Sequence, residues 1–222
     1  MTQTMEVASN KVVYGNPNHY DFKILRETNY LDSILSESED LSPYPNDSTE
    51  TRLELQEVIQ AINLVKDDEE LLQRYFLYDN SLGEYILNTL SIEIPNEEQN
   101  IIDTINSIDA DITPLLLKIK YKHQRPRPYQ LGLHFKLSLY PLPTVYAQSP
   151  SFPSGHTFQS KVICEVLGNK YPQFYNQLQI LAEDISNSRL YLGVHYKSDL
   201  IGGVELANRV LSNKEFVKKY GL

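Results

Sequence analysis

Between Ile101 and Ile119, apolar side chains recur at Ile101, Ile105, Ile108, Ile112, Leu115 and Ile119. Steps of three and four residues place all six on one face of an α-helix, whereas the two-residue period of a strand would scatter them over both faces of a sheet. A helix with such a stripe has to bury it against other elements. The rest of the chain offers helices as partners. Leu55, Ile59, Ile62 and Val65 share the spacing, with Ser48 or Thr49 available as an N-cap. Leu71, Tyr75 and Tyr78 continue it after the acidic run Asp67–Glu70, which suits the positive end of a helix. Helical patterning returns over 155–170, 172–188 (Leu178, Leu181, Ile185) and 198–211. Pro95 followed by Glu97 and Glu98 reads as the start of the long helix, and Pro114 is expected to kink or split it. With no set of strands, no repeat and no low-complexity stretch, the expected fold class is all-α, a compact helical bundle.

The two ends of the pattern differ. Residues 1–20 are polar, with little periodicity, and are expected to form an extended, partly mobile lead-in. Residues 21–36 read as a short helix through Phe22, Leu25, Leu31 and Leu35, and the stretch from Ser36 to Ser48 as a loop. The expected organisation is an N-terminal extension, 1–50, packing on a helical domain, 51–222, as a single domain overall. Residues 128–153, with Tyr140, Pro141, Leu142, Pro143, Tyr146 and Pro150, read as one long connection, and loops of that length are uncommon unless functional. A chain of 222 residues can bury a core without staples, and the sole cysteine, Cys164, excludes an internal disulfide. Flanked by Val162, Ile163 and Val166, Cys164 reads as a buried inert thiol. A net charge of -9 argues against a general nucleic-acid binder but leaves room for a small basic pocket. The first residues show no basic region followed by an apolar stretch, and no run approaches the roughly 20 apolar residues of a membrane helix, so a soluble, cytoplasmic protein is expected.

Three clusters carry chemistry. The first runs from Lys120 through Arg125 and Arg127 to Pro128; the second is Pro153-Ser154-Gly155-His156; the third joins Ser188-Arg189 to His195 and Asp199. Taken singly they are a solvated basic face or a nucleic-acid patch, a turn with a helix cap, and a surface pair at helical spacing. Together they supply what phosphoryl transfer requires. Arg127 and Arg189 offer planar guanidinium forks and Lys120 a point charge for a phosphate dianion. The Ser154 hydroxyl and the Gly155 amide, at a helix start, can add neutral donors. Of the two histidines, one can attack phosphorus and the other can protonate the leaving oxygen. Asp199, four residues after His195, can hold one ring nitrogen and leave the other free.

These clusters resemble the type 2 phosphatidic acid phosphatase superfamily, which includes soluble bacterial class A non-specific acid phosphatases, membrane lipid phosphatases and vanadium-dependent haloperoxidases. The family pattern is Lys, six residues, Arg-Pro; then Pro-Ser-Gly-His; then Ser-Arg, five residues, His, three residues, Asp. The second and third parts match without departure. The first fits in two registers, Lys118 with Arg125-Pro126 and Lys120 with Arg127-Pro128. The resemblance favours Lys120 and Arg127, since family members often carry an arginine or proline just before the functional Arg-Pro and an aromatic residue after it, here Tyr129. Arg125 and Lys118 would then be supporting cations.

The resemblance covers about residues 118–203. It implies an active site at helix ends and in the long loop, with His195 as nucleophile, Asp199 orienting it and His156 as general acid. Lys120, Arg127, Ser154, Gly155 and Arg189 would bind the phosphoryl oxygens. It further implies a metal-independent phosphatase acting on small-molecule phosphate monoesters through a phosphohistidine, closest to the class A acid phosphatases. No cofactor is expected, with vanadate as an inhibitor. A vanadium-dependent haloperoxidase would hold vanadate on His195 in the same pocket, but haloperoxidases of this group are generally much larger. A non-catalytic phosphate-binding or structural protein is the third reading. His123 and His134 fall outside the pattern as surface or loop residues. Tyr140 and Tyr146 are candidates to wall the pocket, and a homodimer through helical faces is compatible with the sequence.

Overall fold

A computed structural model describes residues 11–222. Among these residues there are helices and connections and no strand, as the periodicity predicts. The short helices α1 (His19–Ile24) and α2 (Ser33–Glu37) precede α3 (Thr49–Val65), α4 (Glu69–Asn80) and α5 (Leu82–Ser91). The long α6 (Glu98–His123) leads through α7 (Pro128–His134) and an irregular stretch to α8 (Gly155–Lys170). Helices α9 (Tyr175–Tyr191), α10 (Lys197–Leu211) and α11 (Lys214–Tyr220) complete the chain.

Helix α8 is the axis of the packing. Phe158, Val162, Ile163, Cys164, Val166 and Leu167 are all buried, and these positions go round most of its circumference. It therefore has neighbours on several sides: α9, α10 and α6 pack directly on it. The apolar stripe of α6 is buried from Ile101 to Ile119. Two glycines set the approach of the other helices. A Cβ on Gly203 of α10 would sit 2.9 Å from the Ser154 carbonyl oxygen and 3.0 Å from Thr157 Cβ, so only glycine lets α10 lie against the first turn of α8. Gly193, after α9, has φ +76°, the left-handed conformation that turns the chain toward α10.

Several expectations need correction. Pro114 does not split α6, which is helical on both sides of it. Proline removes one ladder hydrogen bond, and the buried Ile108, Ile112, Leu115 and Ile119 hold the two halves in one run. Residues 21–36 are not one helix: Asn18 caps α1 through Asp21 N, Asn29 caps a 3-10 turn at Tyr30–Asp32, and α2 follows. Within 128–153, Pro128 opens a helix rather than a loop, because Gln130 Oε1 accepts from Arg127 N at 2.8 Å and proline suits the first helical position. Helices α5 and α11 add to the elements the sequence predicts; they bury Ile86, Leu90 and Phe216, too few positions to show a period. Of the expected lead-in, residues 1–10 lie outside the described residues. The stretch after them is held by Tyr14 N donating to Gln124 O at 2.9 Å and by Asn46 Nδ2 donating to Val12 O at 2.8 Å. No helix among the described residues is long and apolar enough to cross a membrane.

Candidate active site

Five helix ends meet at one end of the bundle. Lys120 lies in the last turn of α6, where a cation complements the negative end of the helix. Gln124, left-handed at φ 48°, stops α6 and turns the chain into Arg125 and Arg127. Ser154 caps α8: its hydroxyl accepts from Thr157 Oγ1 at 2.9 Å, which leaves its own proton to donate. The Gly155 and His156 amides are in the first turn of α8 and have no partner within the helix. Arg189 lies in the last turn of α9, and His195 just precedes α10, in whose first turn Asp199 sits. The two α10 residues are joined directly, His195 Nδ1 to Asp199 Oδ2 at 3.0 Å.

That bond decides the state of His195. Asp199 also accepts from Tyr196 N at 3.0 Å, from Arg125 Nη1 at 2.6 Å and from the Ser151 hydroxyl. Burial alone would raise its pKa; the Arg125 charge and the hydrogen bonds from His195 and Ser151 hold it below the usual carboxylate range. An acceptor on Nδ1 fixes the proton there and leaves Nε2 unprotonated. Nε2 accepts from Arg127 Nη1 at 2.8 Å, so its lone pair is turned to the cluster of cations. Burial, and after it the Arg127 charge, push the His195 pKa well below its ordinary value, keeping the imidazole neutral.

The cations differ in what compensates them. Arg125 is compensated by two carboxylates, Glu54 at 2.9 Å and Asp199 at 2.6 Å, and stacks 3.8 Å over the Tyr196 ring. Both of its Nη atoms are engaged, to Ser198 and Asp199 from Nη1 and to Glu54 from Nη2, so it supports Asp199. Lys120 donates to Pro150 O at 2.7 Å, and Arg127 to Ser149 O at 2.8 Å and Val194 O at 3.0 Å, all neutral acceptors. Arg189 is wholly buried, and its Nε, Nη1 and Nη2 make no hydrogen bond. Its Nη2 stands 2.7 Å from Asp79 Oδ1, an ion pair by distance without the angles of a hydrogen bond. Burial lowers the pKa of all three, Arg127 to about 10, and the charges of Arg127 and Arg189 lower that of Lys120 further. Buried cations that depress one another, with orphaned donors among them, form a site poised for an oxyanion.

His156 closes the other side. Its Nε2 is 4.0 Å from Asp79 Oδ1, and burial followed by the Arg189 charge lowers its pKa to about 3. Arg127 contributes to the depression of both histidines, which places them in one electrostatic environment. Asp79, on α4, also accepts from Thr144 Oγ1 at 2.9 Å, from Val145 N, and from Tyr146 N at 3.4 Å.

The structure thus brings together Lys120, Arg127, Ser154, Gly155, His156, Arg189, His195 and Asp199, with Arg125 behind them. Lys118 is not part of the cluster: its ammonium binds Asp32 Oδ1 at 2.7 Å and Glu27 O at 2.6 Å, tying α6 to the N-terminal turns. Of the two candidate lysines, Lys120 and not Lys118 therefore stands with Arg127 in the cluster. Tyr146 stands beside His156, ring centroids 6.4 Å apart, whereas Tyr140 is 78 % exposed. His123 packs edge-on against Phe152, and Cys164 is buried with its thiol pKa pushed up to about 12. Sequence reasoning missed Asp79, Glu54 and Ser151. The available signal was helical register: Glu54 falls on the buried stripe of Thr51, Leu55 and Val58, and Asp79 follows the buried Tyr75 and Tyr78. Among the described residues, no three His, Cys, Asp or Glu side chains are grouped so as to hold a metal ion.

A family model described as the PAP2 superfamily matches residues 108–211, from the middle of α6 to the end of α10. The match supports that superfamily, and with it a hydrolase, its members being generally phosphoesterases. It takes in all three motif clusters and leaves Glu54 and Asp79 outside. No curated protein matches the chain.

Proposed function

We propose, from the PAP2 superfamily match and the geometry of the cation cluster, that this chain hydrolyses phosphate monoesters through a phosphohistidine on His195, with no metal in the reaction. The observation that carries the reading is the unprotonated Nε2 of His195, with Asp199 on the other ring nitrogen and Arg127 Nη1 donating to it at 2.8 Å, where an anion bound by Arg127 would meet it. A nucleophile set among buried cations suits an anionic electrophile, because the same charges that bind the phosphoryl oxygens stabilise their transition state.

In the first step Nε2 attacks phosphorus and the bond from phosphorus to the ester oxygen breaks, while His156 gives that oxygen its proton. Lys120, Arg127 and Arg189, with the Ser154 hydroxyl and the Gly155 amide, hold the three equatorial oxygens. Asp199 keeps its charge and balances the imidazolium. In the second step His156 takes a proton from water, the water oxygen attacks phosphorus, and the N–P bond breaks to release phosphate. His156 must be protonated to act first. Burial, and after it Arg189, oppose that in the free protein; a bound phosphoryl dianion offsets Arg189 and adds a negative charge that favours the protonated ring.

Cleavage of p-nitrophenyl phosphate with a chelator present, inhibited by vanadate, is the expected result. Activity retained by His195→Ala would refute the nucleophile. His156→Ala should accumulate phosphorylated protein from a substrate whose leaving group needs no proton, and turnover at the wild-type rate would refute the acid. Bromination of a dye with peroxide and vanadate, in protein that cleaves no ester, would replace this reading by a haloperoxidase.

A further inference from the structure

The geometry points to Tyr146 as the residue that selects the leaving group, and to a neutral, ring-bearing alcohol as the group it selects. This inference rests on the phosphatase reading for its chemistry. In an in-line displacement the leaving oxygen lies beside the acid, here His156, and the group it carries extends past whatever flanks that histidine. Tyr146 flanks it: the ring centroids are 6.4 Å apart at 61°, and the tyrosine is 58 % exposed. The two rings meet at a steep angle, and more than half of the tyrosine is open to solvent.

The platform is anchored at its backbone. Thr144 Oγ1, Val145 N and Tyr146 N all donate to Asp79 Oδ2, while Oδ1 of the same carboxylate stands 4.0 Å from His156 Nε2. One buried side chain therefore sets both the strap carrying the ring and the neighbourhood of the acid. A ring held by its main chain costs little further ordering when a ligand stacks on it.

Charge on the strap points to the same kind of leaving group. From Leu137 to Ser160 the sequence contains no Asp, Glu, Lys or Arg, and His156 is the one residue there with an ordinary pKa near neutrality. The site's cations, Lys120, Arg127 and Arg189, are buried around the position of the phosphoryl head. A leaving group bearing a second phosphate would meet no cation on this wall and would lose solvation against it. A planar uncharged ring would instead meet an exposed aromatic side chain, with Val145, 40 % exposed, beside it.

The test compares benzyl with ethyl phosphate, whose alcohols are similar as leaving groups, together with pyrophosphate. Wild-type protein should favour the benzyl ester by about tenfold in kcat/KM, the size of one aromatic stacking contact with its buried area, and should use pyrophosphate least. Tyr146→Ala should bring benzyl down to ethyl and leave ethyl unchanged, and Tyr146→Phe should keep the preference. A wild type without preference, or an alanine variant equally impaired toward both esters, overturns the proposal. Calorimetric binding of benzylphosphonate and ethylphosphonate reads the same contact without turnover. Tyr146-dependent preference between the phosphonates in protein that cleaves neither ester would sink the phosphatase reading alone. Equal cleavage of both esters would sink this inference alone.

Discussion

Each buried charge at this site is balanced by a different means, and the differences predict how each will fail. Asp199 is the acceptor for His195, Arg125, Ser151 and Tyr196. Asp199→Asn keeps the shape but removes the charge that fixes the proton on Nδ1 and balances an imidazolium. We expect kcat to fall by about 10³–10⁴-fold with KM little changed, the scale of losing the carboxylate behind a catalytic histidine, measured on p-nitrophenyl phosphate. A fall of less than tenfold would remove Asp199 from the orienting role. Asp79 is different, because its partner Arg189 has no other carboxylate within ion-pair distance among the described residues. Asp79→Asn strands that guanidinium, and breaking a buried pair from one side costs about 3–5 kcal/mol. Urea unfolding should show the loss, and added phosphate should recover part of it by giving Arg189 a new anion. Equal loss with and without phosphate would mean that Arg189 does not face the anion site. The sequence made the two carboxylates unequally legible. Asp199 stands at a fixed spacing from a histidine, whereas Asp79 is one of 29 acidic residues, and its function depends on a contact 110 positions away in the chain.

At the scale of elements, long periods were legible and short ones were not. Helices α3, α6, α8 and α9 each carry enough buried positions for the 3.6-residue repeat to emerge. With seven residues and one buried side chain, α11 has no repeat to read, and α7 is masked by the prolines around it. The convergence of five helix ends was legible only through the motif order, since periodicity says which face is buried and not what it meets. The closest of these meetings is testable. Gly203 brings α10 against the start of α8, where Ser154 N donates to Asp199 O at 2.9 Å. Gly203→Ala forces a Cβ to 2.9 Å from the Ser154 carbonyl oxygen, a backbone atom that cannot rotate away. Overpacking of this kind costs about 1–3 kcal/mol. Because the strain falls between His195–Asp199 and Ser154–His156, activity should fall along with stability. Denaturation midpoints and kcat on the same sample check this; a stable variant with full activity would show that α10 can shift without disturbing the site.

The molecule as a whole carries a net charge of -9, yet it concentrates uncompensated positive charge in one buried place. Burial, and after it that charge, keep His156 and His195 neutral in the free protein, and this links its stability to pH. Both His156, at about 3, and His195 have folded pKa values below the ordinary 6.5. As pH falls below 6.5 the unfolded chain takes up protons that the folded chain refuses, so stability falls with pH until the folded pKa values are reached. Asp199 and Asp79, also depressed, act in the same direction at lower pH. A dianion in the pocket reverses the field on both imidazoles and raises their pKa values. Its binding should then be accompanied by proton uptake and should tighten as the pH falls, the two being one linkage relation. Sulfate is the cleanest probe, because it carries no proton of its own near pH 5–7. Thermal unfolding without sulfate should move to lower temperature from pH 7 to pH 5, and sulfate should raise the midpoint more at pH 5 than at pH 7. Calorimetry in buffers of different ionisation enthalpy should register protons taken up on binding. His156→Ala and His195→Ala should each diminish that uptake, and the double variant should diminish it further. Uptake unchanged in the double variant would mean that the proton goes elsewhere, with Lys120, also depressed, the next group to replace. No uptake at all in the wild type would mean that the anion does not bind between these cations and the two histidines.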